Sequence, residues 1–157
     1  MEIHEKIIIG LAEYVSSAYF KKVPARIDTG ARTTAIWASN ISESDGVLTF
    51  QFFAKGSKYF ENVTRKVEHY ETRVVMSSNG SRQTRYLIPV TLEIKKRRIR
   101  TFATLSDRSK QAFPILIGRN TLRGKFLVDA QKVSRKLSQI DQKAFVKLQN
   151  ESKGDKQ

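Results

Sequence analysis

The sequence predicts an all-β domain. Runs rich in Val, Ile, Thr, Phe and Tyr follow one another closely, turn signals (DG, KGS, SNGS) separate them, and no helical periodicity shows before about Ala130. β-Branched and aromatic side chains suit a half-buried pleated surface, whereas Gly, Asn and Asp suit the backbone of tight turns. Many short strands with such spacing point to a closed or sandwich-like β architecture, and 157 residues suit one domain.

In chain order the predicted strands are IIIGLAEYV from Ile7, VPARID from Val23, TTAIWA from Thr33, VLTFQFFA from Val47, ETRVVMSS from Glu71, RYLIPVTLEI from Arg85, RTFATL from Arg100, FPILIG from Phe113 and KFLVDA from Lys125. Trp37 lies in the third run and is expected in the core, since large aromatics mostly serve packing. KKRRIR at 95–100 reads either as a strand alternating around Ile94 and Ile99 or as a hairpin turn with a solvated face. The main domain is placed at 1–130. From there Val133, Leu137, Ile140, Ala144 and Leu148 recur on one helical face with Lys132, Arg135, Lys136, Lys143 and Lys147 around it. A basic amphipathic C-terminal helix is therefore predicted over 131–150, covering its own domain or a partner, with a fraying tail at 151–157.

Twenty-nine Lys and Arg against fifteen Asp and Glu leave a formal charge of +14, which favours anionic partners. Nucleic acid is one such partner, but the charge is widely spread and a solvated face is favoured over a phosphate patch at KKRRIR. Cysteine is absent, so disulfide and thiolate chemistry are excluded. The only histidines, His4 and His69, have no HExxH context and are expected at the surface; neither a metal nor a cofactor is expected. The apolar run at 7–9 is too short for a signal peptide, and no stretch approaches the ~20 apolar residues of a membrane span. The expected compartment is cytoplasmic, although a chain trimmed of a leader would read the same.

The candidate site begins at ARIDTGARTTAIWAS, residues 25–39. Asp is a poor strand former, and Asp28-Thr29-Gly30 is compatible with a plain Asx turn. The same tripeptide after an apolar strand has a chemical use. Two such carboxylates about 3 Å apart cannot both ionise, so they share a proton and titrate as a unit. One then acts as general base on a water while the other donates a proton to the peptide. Gly30 lets backbone approach the carboxylate, and the Thr29 hydroxyl can brace the pair across a two-fold axis. DTG occurs once here: Asp45, Asp107, Asp129 and Asp141 are followed by Gly, Arg, Ala and Gln. A working dyad therefore requires two chains.

Further on, FPILIGRNTLRGKFLVDA at 113–130 carries an apolar strand into Gly118, Arg119 and Asn120. An early DTGA with a late apolar-apolar-Gly-Arg-Asn resembles the retropepsins, homodimeric aspartic proteinases of retroviruses. The resemblance implies a closed acid-protease barrel, Asp28, Thr29 and Gly30 as catalytic residues, and Ile117, Gly118 and Arg119 as structural support behind them. It also implies a flap hairpin with Ser78, Asn79 and Gly80 at its tip, which with Ala31 would contact a peptide substrate and close over it. Asn-Gly is a strong hairpin signal in any fold.

The sequence is still more similar to a bacterial family of retropepsin-like proteins that carry K-x-x-I-D-T-G-A-R-T-S-A, S-S-N-G and F-P-x-L-L-G-R followed by V-D. The similarity runs from about Ile7 to Asp129. That family has long been labelled ATP-dependent zinc proteases and is associated with ATP-grasp ligases that add glutamates to a ribosomal protein, which implies such a ligase as a functional partner. The residues do not support the label. In 118-GRNTLRGKF-126 five residues separate the glycines and Phe follows the Lys, which is not a phosphate-cradling loop. Two departures stand out. Arg32 occupies the place of an acid that in retroviral enzymes pairs with the arginine of the Gly-Arg segment, so Arg32 and Arg119 must diverge or recruit Glu71 or Asp129. GLAEY replaces an aromatic Gly-Trp motif. The primary expectation is a homodimeric aspartic endopeptidase; the alternative is a non-catalytic module binding a peptide or an anionic partner.

Overall fold

In the computed structural model, which describes residues 5–76 and 79–132, every predicted run contains strand. The elements are β1 (Ile7–Ile9), β2 (Ala12–Ser16), β3 (Val23–Ile27), β4 (Thr34–Ser44), β5 (Val47–Phe52), β6 (Thr64–Val67), β7 (Glu71–Met76), β8 (Arg82–Ile94), β9 (Arg97–Ser106), β10 (Ile115–Ile117), α1 (Arg119–Leu122) and β11 (Phe126–Val128). The strands β10, β3, β2, β8, β9 and β4 pair in that order, and β10 pairs back onto β4, so these six close on themselves. Closure removes exposed edges and gives the ring one interior. That interior is filled by Val15, Ile27, Ile36, Ile88, Leu92, Ile99, Ile115 and Ile117, all nearly inaccessible. Each is worth about 1.5–3 kcal/mol of burial. The architecture is the retropepsin-like all-β fold that the sequence predicts.

Local turn chemistry sets the hairpins. β4 and β5 are joined through Asp45 and Gly46 at φ 51° and 75°, the left-handed pair that matches strand twist. β8 and β9 are joined in the same way through Lys95 and Lys96 at φ 47° and 67°. The KKRRIR stretch is thus both alternatives in succession: a lysine turn, then a strand in which Ile99 is buried and Arg98 and Arg100 are exposed.

The first predicted run is not continuous. It breaks at Gly10 and Leu11, because β1 pairs with β11 while β2 pairs with β3 and β8. β6 is an element the sequence reading missed; TRKV carries two adjacent cations, Arg65 and Lys66, reads as polar, and lies at the end of the sheet beside β5. β8 spans 13 residues: its later part pairs with β9 in the barrel, and its first part pairs with β7 as a projecting hairpin, Met76 opposite Arg82. Trp37 is half-buried against the main core, and His69 is exposed. The predicted C-terminal helix begins at the last described residues, and nearly all of it, like the tail and His4, lies outside them. None of the helices among the described residues is long and apolar enough to cross a membrane.

Candidate active site

β3 and β4 do not pair with each other. β10 lies between them, parallel to β3 (Ile117 beside Ile27) and antiparallel to β4 (Ile115 beside Ile36). The connection at 28–33 therefore arches over the end of β10. Asp28 extends the ladder by one bond, its N–H donating to Ile117 O at 2.9 Å. Its Oδ1 accepts the N–H groups of Gly30 at 2.9 Å and Ala31 at 3.2 Å. This is the Asx turn of the plain reading, and it leaves the other oxygen, Oδ2, with no hydrogen bond among the described residues. A turn and a presented carboxylate are one structure here. Asp28 and Ala31 are half-buried, while Thr29 and Gly30 are exposed at the top of the arch. A Cβ on Gly30 would stand 3.2 Å from Asp28 Oδ1, so the glycine permits this close approach.

The segment after β10 clamps the arch from below. Arg119 N–H donates to Ala31 O at 2.8 Å and Asn120 N–H to Arg32 O at 3.2 Å. Arg119 Nη1 donates to the carbonyls of Thr29 at 3.1 Å and Gly30 at 2.9 Å. The arch is thus held on its carbonyl side by one guanidinium and on its amide side by its own carboxylate. Asp28, Thr29, Gly30, Ala31, Ile117, Gly118 and Arg119, predicted from two distant segments, come together here.

Sequence reading missed the hydroxyl cluster beneath. Thr34 is fully buried; its Oγ1 donates to Asn120 Oδ1 at 3.0 Å, accepts Gly118 N–H at 3.1 Å and lies 2.6 Å from Thr121 Oγ1, which in turn lies 3.0 Å from Thr101 Oγ1. Asn120 Nδ2 donates to Phe102 O at 2.7 Å, tying the helix start to β9. A threonine in a strand reads as an ordinary β-former, and the side-chain partners of Thr34 lie more than 80 residues away. Replacing Thr34 with Val keeps the shape but strands the Gly118 N–H. The expected loss is about 1–3 kcal/mol, read as a lower denaturant midpoint with an unchanged slope.

Of the two outcomes expected for Arg32 and Arg119, divergence or recruitment of an acid, the recruitment of Glu71 or Asp129 needs correcting. Arg119 is satisfied by carbonyls, not by an acid, and the two proposed acids are engaged elsewhere: Glu71 with Arg73 at 3.5 Å and Asp129 with Lys132 at 3.9 Å. Backbone carbonyls at the arch do the work of the missing carboxylate. Arg32 and Arg119 both line an open cavity of about 830 Å³ with Thr29, Leu122, Arg123 and Leu127.

Two more arginines stand near Asp28. Arg26 precedes it by two residues on β3, and Arg108 folds back from the 107–112 loop to donate Nε to Phe113 O at 3.0 Å. Burial, then the charge of Arg26, push the Arg108 guanidinium below its ordinary value, while Asp28 pulls it back up. The projecting hairpin carries Asn79 and Gly80 at its exposed tip, where Asn79 Oδ1 accepts Ser81 N–H at 3.1 Å and Gly80 has φ 83°. Ser78 lies outside the described residues. At the hairpin root Tyr70 donates to Glu43, which holds its hydroxyl pKa up to about 12, and its ring stands edge-on to Tyr86 at 6.0 Å.

A closed barrel whose DTG arch sits over an apolar-Gly-Arg-Asn segment, with a hairpin projecting from β8, defines a retropepsin-like domain. The family described as RimB-like, Retropepsin-like aspartic endopeptidase RimB, matches residues 8–142, and the chain belongs to that family. It is 28% identical over 130 residues to a Desulfotalea psychrophila protein named "Probable alpha-L-glutamate ligase", the match covering 79% of this chain and 28% of that protein. A Shewanella halifaxensis protein of the same name is 30% identical over 132 residues, with 79% and 28% covered. The chain thus spans little more than a quarter of the length of these relatives. In fold it is similar to a Legionella pneumophila protein of unknown function, with a TM-score of 0.63 and 18% identity over 82% of this chain and 97% of the other.

Proposed function

We propose that the chain is one half of a homodimeric aspartic endopeptidase in which the Asp28 carboxylates of two copies form the dyad. The observation that carries this reading is the single Asp28 carboxylate, anchored through Oδ1 and open at Oδ2, on an arch whose Thr29 is exposed. One dyad member takes a proton from water as it attacks the peptide carbonyl; the other gives a proton to the departing amine. No cofactor takes part. Supporting the dimer, Thr29 and Leu127 border the same open cavity, and Ile8 and Leu127 on the paired strands β1 and β11 are about half exposed, at 50% and 52%. A second copy placed there would cover apolar surface that monomers rarely leave grouped. The β7–β8 hairpin, with Asn79 and Gly80 at its tip, would serve as the flap and Ala31 as a backbone contact to substrate.

The relatives named as glutamate ligases carry a similar segment within a longer chain. We therefore place this domain in functional association with such a ligase, acting on the acidic peptide that glutamate addition would build. The formal charge of +14 suits that substrate. Subunit mixing tests the shared site. Adding excess Asp28→Asn protein to a fixed amount of wild type is expected to drive activity toward zero as mixed dimers form, with specific activity rising with protomer concentration when wild type is alone. Activity that stays constant in both titrations would exclude a shared dyad.

A further inference from the structure

The outer face of β8 and β9 carries a row of cations that ends in an exposed aromatic ring. Strand alternation buries Leu92, Ile94, Ile99 and Thr101, and it leaves Pro89, Thr91 and Glu93 on β8 and Arg98, Arg100 and Phe102 on β9 exposed. The register sets these in facing pairs: Pro89 with Phe102, Thr91 with Arg100, Glu93 with Arg98. Beside them stands Tyr19, on a 17–22 loop held by its own hydroxyls. Ser17 N–H donates to Phe20 O at 2.8 Å, Ser17 Oγ accepts Tyr19 N–H at 3.0 Å, and Ser16 Oγ accepts Lys22 N–H at 2.9 Å. The Tyr19 ring packs on Phe52 at 5.3 Å with the Arg65 guanidinium over it at 5.0 Å, so it is a fixed wall. Phe102 is 49% exposed and Tyr19 39%. Tyr19, Pro89, Arg100 and Phe102 border one open groove of about 410 Å³, a size within the range of ligand clefts. In the six-strand ring β8 and β9 lie across from β10 and β3, the strands that carry the Asp28 arch. The groove is therefore a separate surface.

We propose that this groove binds single-stranded nucleic acid, one base lying against the Phe102 ring with Tyr19 as the opposite wall and the phosphates running along the cations. Charge selects an anion. Arg98, Arg100, Lys21 and Lys22 are exposed and make no ion pair among the described residues. With Arg65 they set five cations against two acids, Glu93 opposite Arg98 and Glu61 in the small hollow that Tyr19 and Arg65 share. Arg98 and Arg100 stand about 6.6 Å apart along β9, close to the separation of successive phosphates on an extended strand. The rings select the kind of anion. An acidic peptide brings charge without a π-face, whereas every base has one and stacks on an exposed aromatic side chain whatever its identity. A duplex hides those faces in its own stack, so the ring takes an unpaired strand. KKRRIR reads as a solvated face along the chain because its sequence puts no ring beside its cations; the β8–β9 register and the 17–22 loop do so. None of this rests on the peptidase reading.

The test is fluorescence anisotropy of the full chain with a labelled oligouridylate of about twelve nucleotides, a length within the site sizes of single-strand binders. Wild type is expected to bind it, with affinity falling as salt rises. Phe102→Ala is expected to weaken binding about fivefold to a hundredfold, the loss for one stacked base. Phe102→Leu, which keeps apolar area without a π-face, is expected to lose nearly as much, and Phe102→Tyr to bind as wild type does. Arg100→Gln is expected to make the slope of log affinity against log salt shallower by about 0.7, one phosphate contact on a single strand. Lys110→Gln, exposed on the loop that leads to β10, is expected to change neither affinity nor slope. Unlabelled duplex of the same length and decaglutamate are expected to compete poorly. Thermal melts check folding; should Phe102→Ala unfold, Phe102→Leu and Arg100→Gln carry the same decision. Absence of binding overturns the proposal, as does affinity unchanged in the Phe102 variants. A Lys110→Gln loss as large as that of Arg100→Gln would mark diffuse charge and overturn it too. Competition by duplex or decaglutamate equal to that of unlabelled oligouridylate would give the surface to any polyanion and overturn the single-strand assignment.

Discussion

Asp28→Asn is expected to leave a folded protein whose peptide hydrolysis is lower by at least about a thousandfold, a loss in the range for removing a positioned general base. The substitution separates the two jobs of this side chain. Oδ1 accepts the N–H groups of Gly30 and Ala31, and an asparagine carbonyl oxygen accepts the same bonds, so the arch keeps its shape. The open oxygen becomes an amide nitrogen, which can neither take a proton from water nor share one with a second carboxylate in the proposed dyad. Stability is expected to shift by less than about 1 kcal/mol, since no buried bond is lost. The measurement is cleavage of a peptide library from acid to neutral pH, alongside thermal melts of both proteins. Undiminished cleavage by the variant would end the aspartic mechanism for this chain.

Gly118→Ala is expected to have the largest effect on stability of any single methyl addition near the site. Gly118 has extended backbone, φ −95° and ψ 179°, so conformation alone would admit alanine. Space does not. The added Cβ would stand 2.6 Å from Thr33 C, 2.8 Å from Thr33 O and 2.9 Å from Thr33 N. All three are backbone atoms, and none can swing aside as a side chain would. Relief requires separating β10 from the arch, which breaks the bonds from Arg119 and Asn120 to Ala31 and Arg32. Overpacking of this kind costs about 1–3 kcal/mol or more, so a Tm lower by about 5–10 °C is expected for a domain of this size. Activity is expected to fall further than stability, because the displaced backbone adjoins the arch that presents Asp28. An alanine variant that melts with wild type would show that the clamp is slack.

How far the sequence reading reached depended on whether the signal was local. β-Branched runs and the DG signal placed strands and a hairpin because propensity and turn geometry act within a few residues. The lysine pair at 95–96 shows where that logic weakens: left-handed backbone at two lysines is not a residue preference, and the barrel register from Tyr86–Leu105 to Ile94–Arg97 imposes it. β6 escaped because an edge strand with cations on it has no apolar alternation to detect. In the site, the motifs at 28–31 and 117–119 were legible as parts of one cluster, yet Arg119 meets neither of the acids offered as its partners. Arg119 turned to carbonyls that any residue could supply, and side-chain identity does not encode that choice.

What the sequence by itself determined is the β character of the chain, the one DTG among its 157 residues, and the lack of cysteine in them. Only the tertiary structure decided that β10 would lie between β3 and β4, that Thr34, Asn120, Thr121 and Thr101 would share a buried hydrogen-bond cluster, and that the Arg119 guanidinium would bind the carbonyls of Thr29 and Gly30. The reason is physical. Propensity, turn geometry and the count of a residue type belong to neighbours along the chain, whereas a buried hydroxyl or an unbalanced guanidinium takes its energy from whatever closure of the barrel brings beside it, and that is settled only when distant strands have found their register.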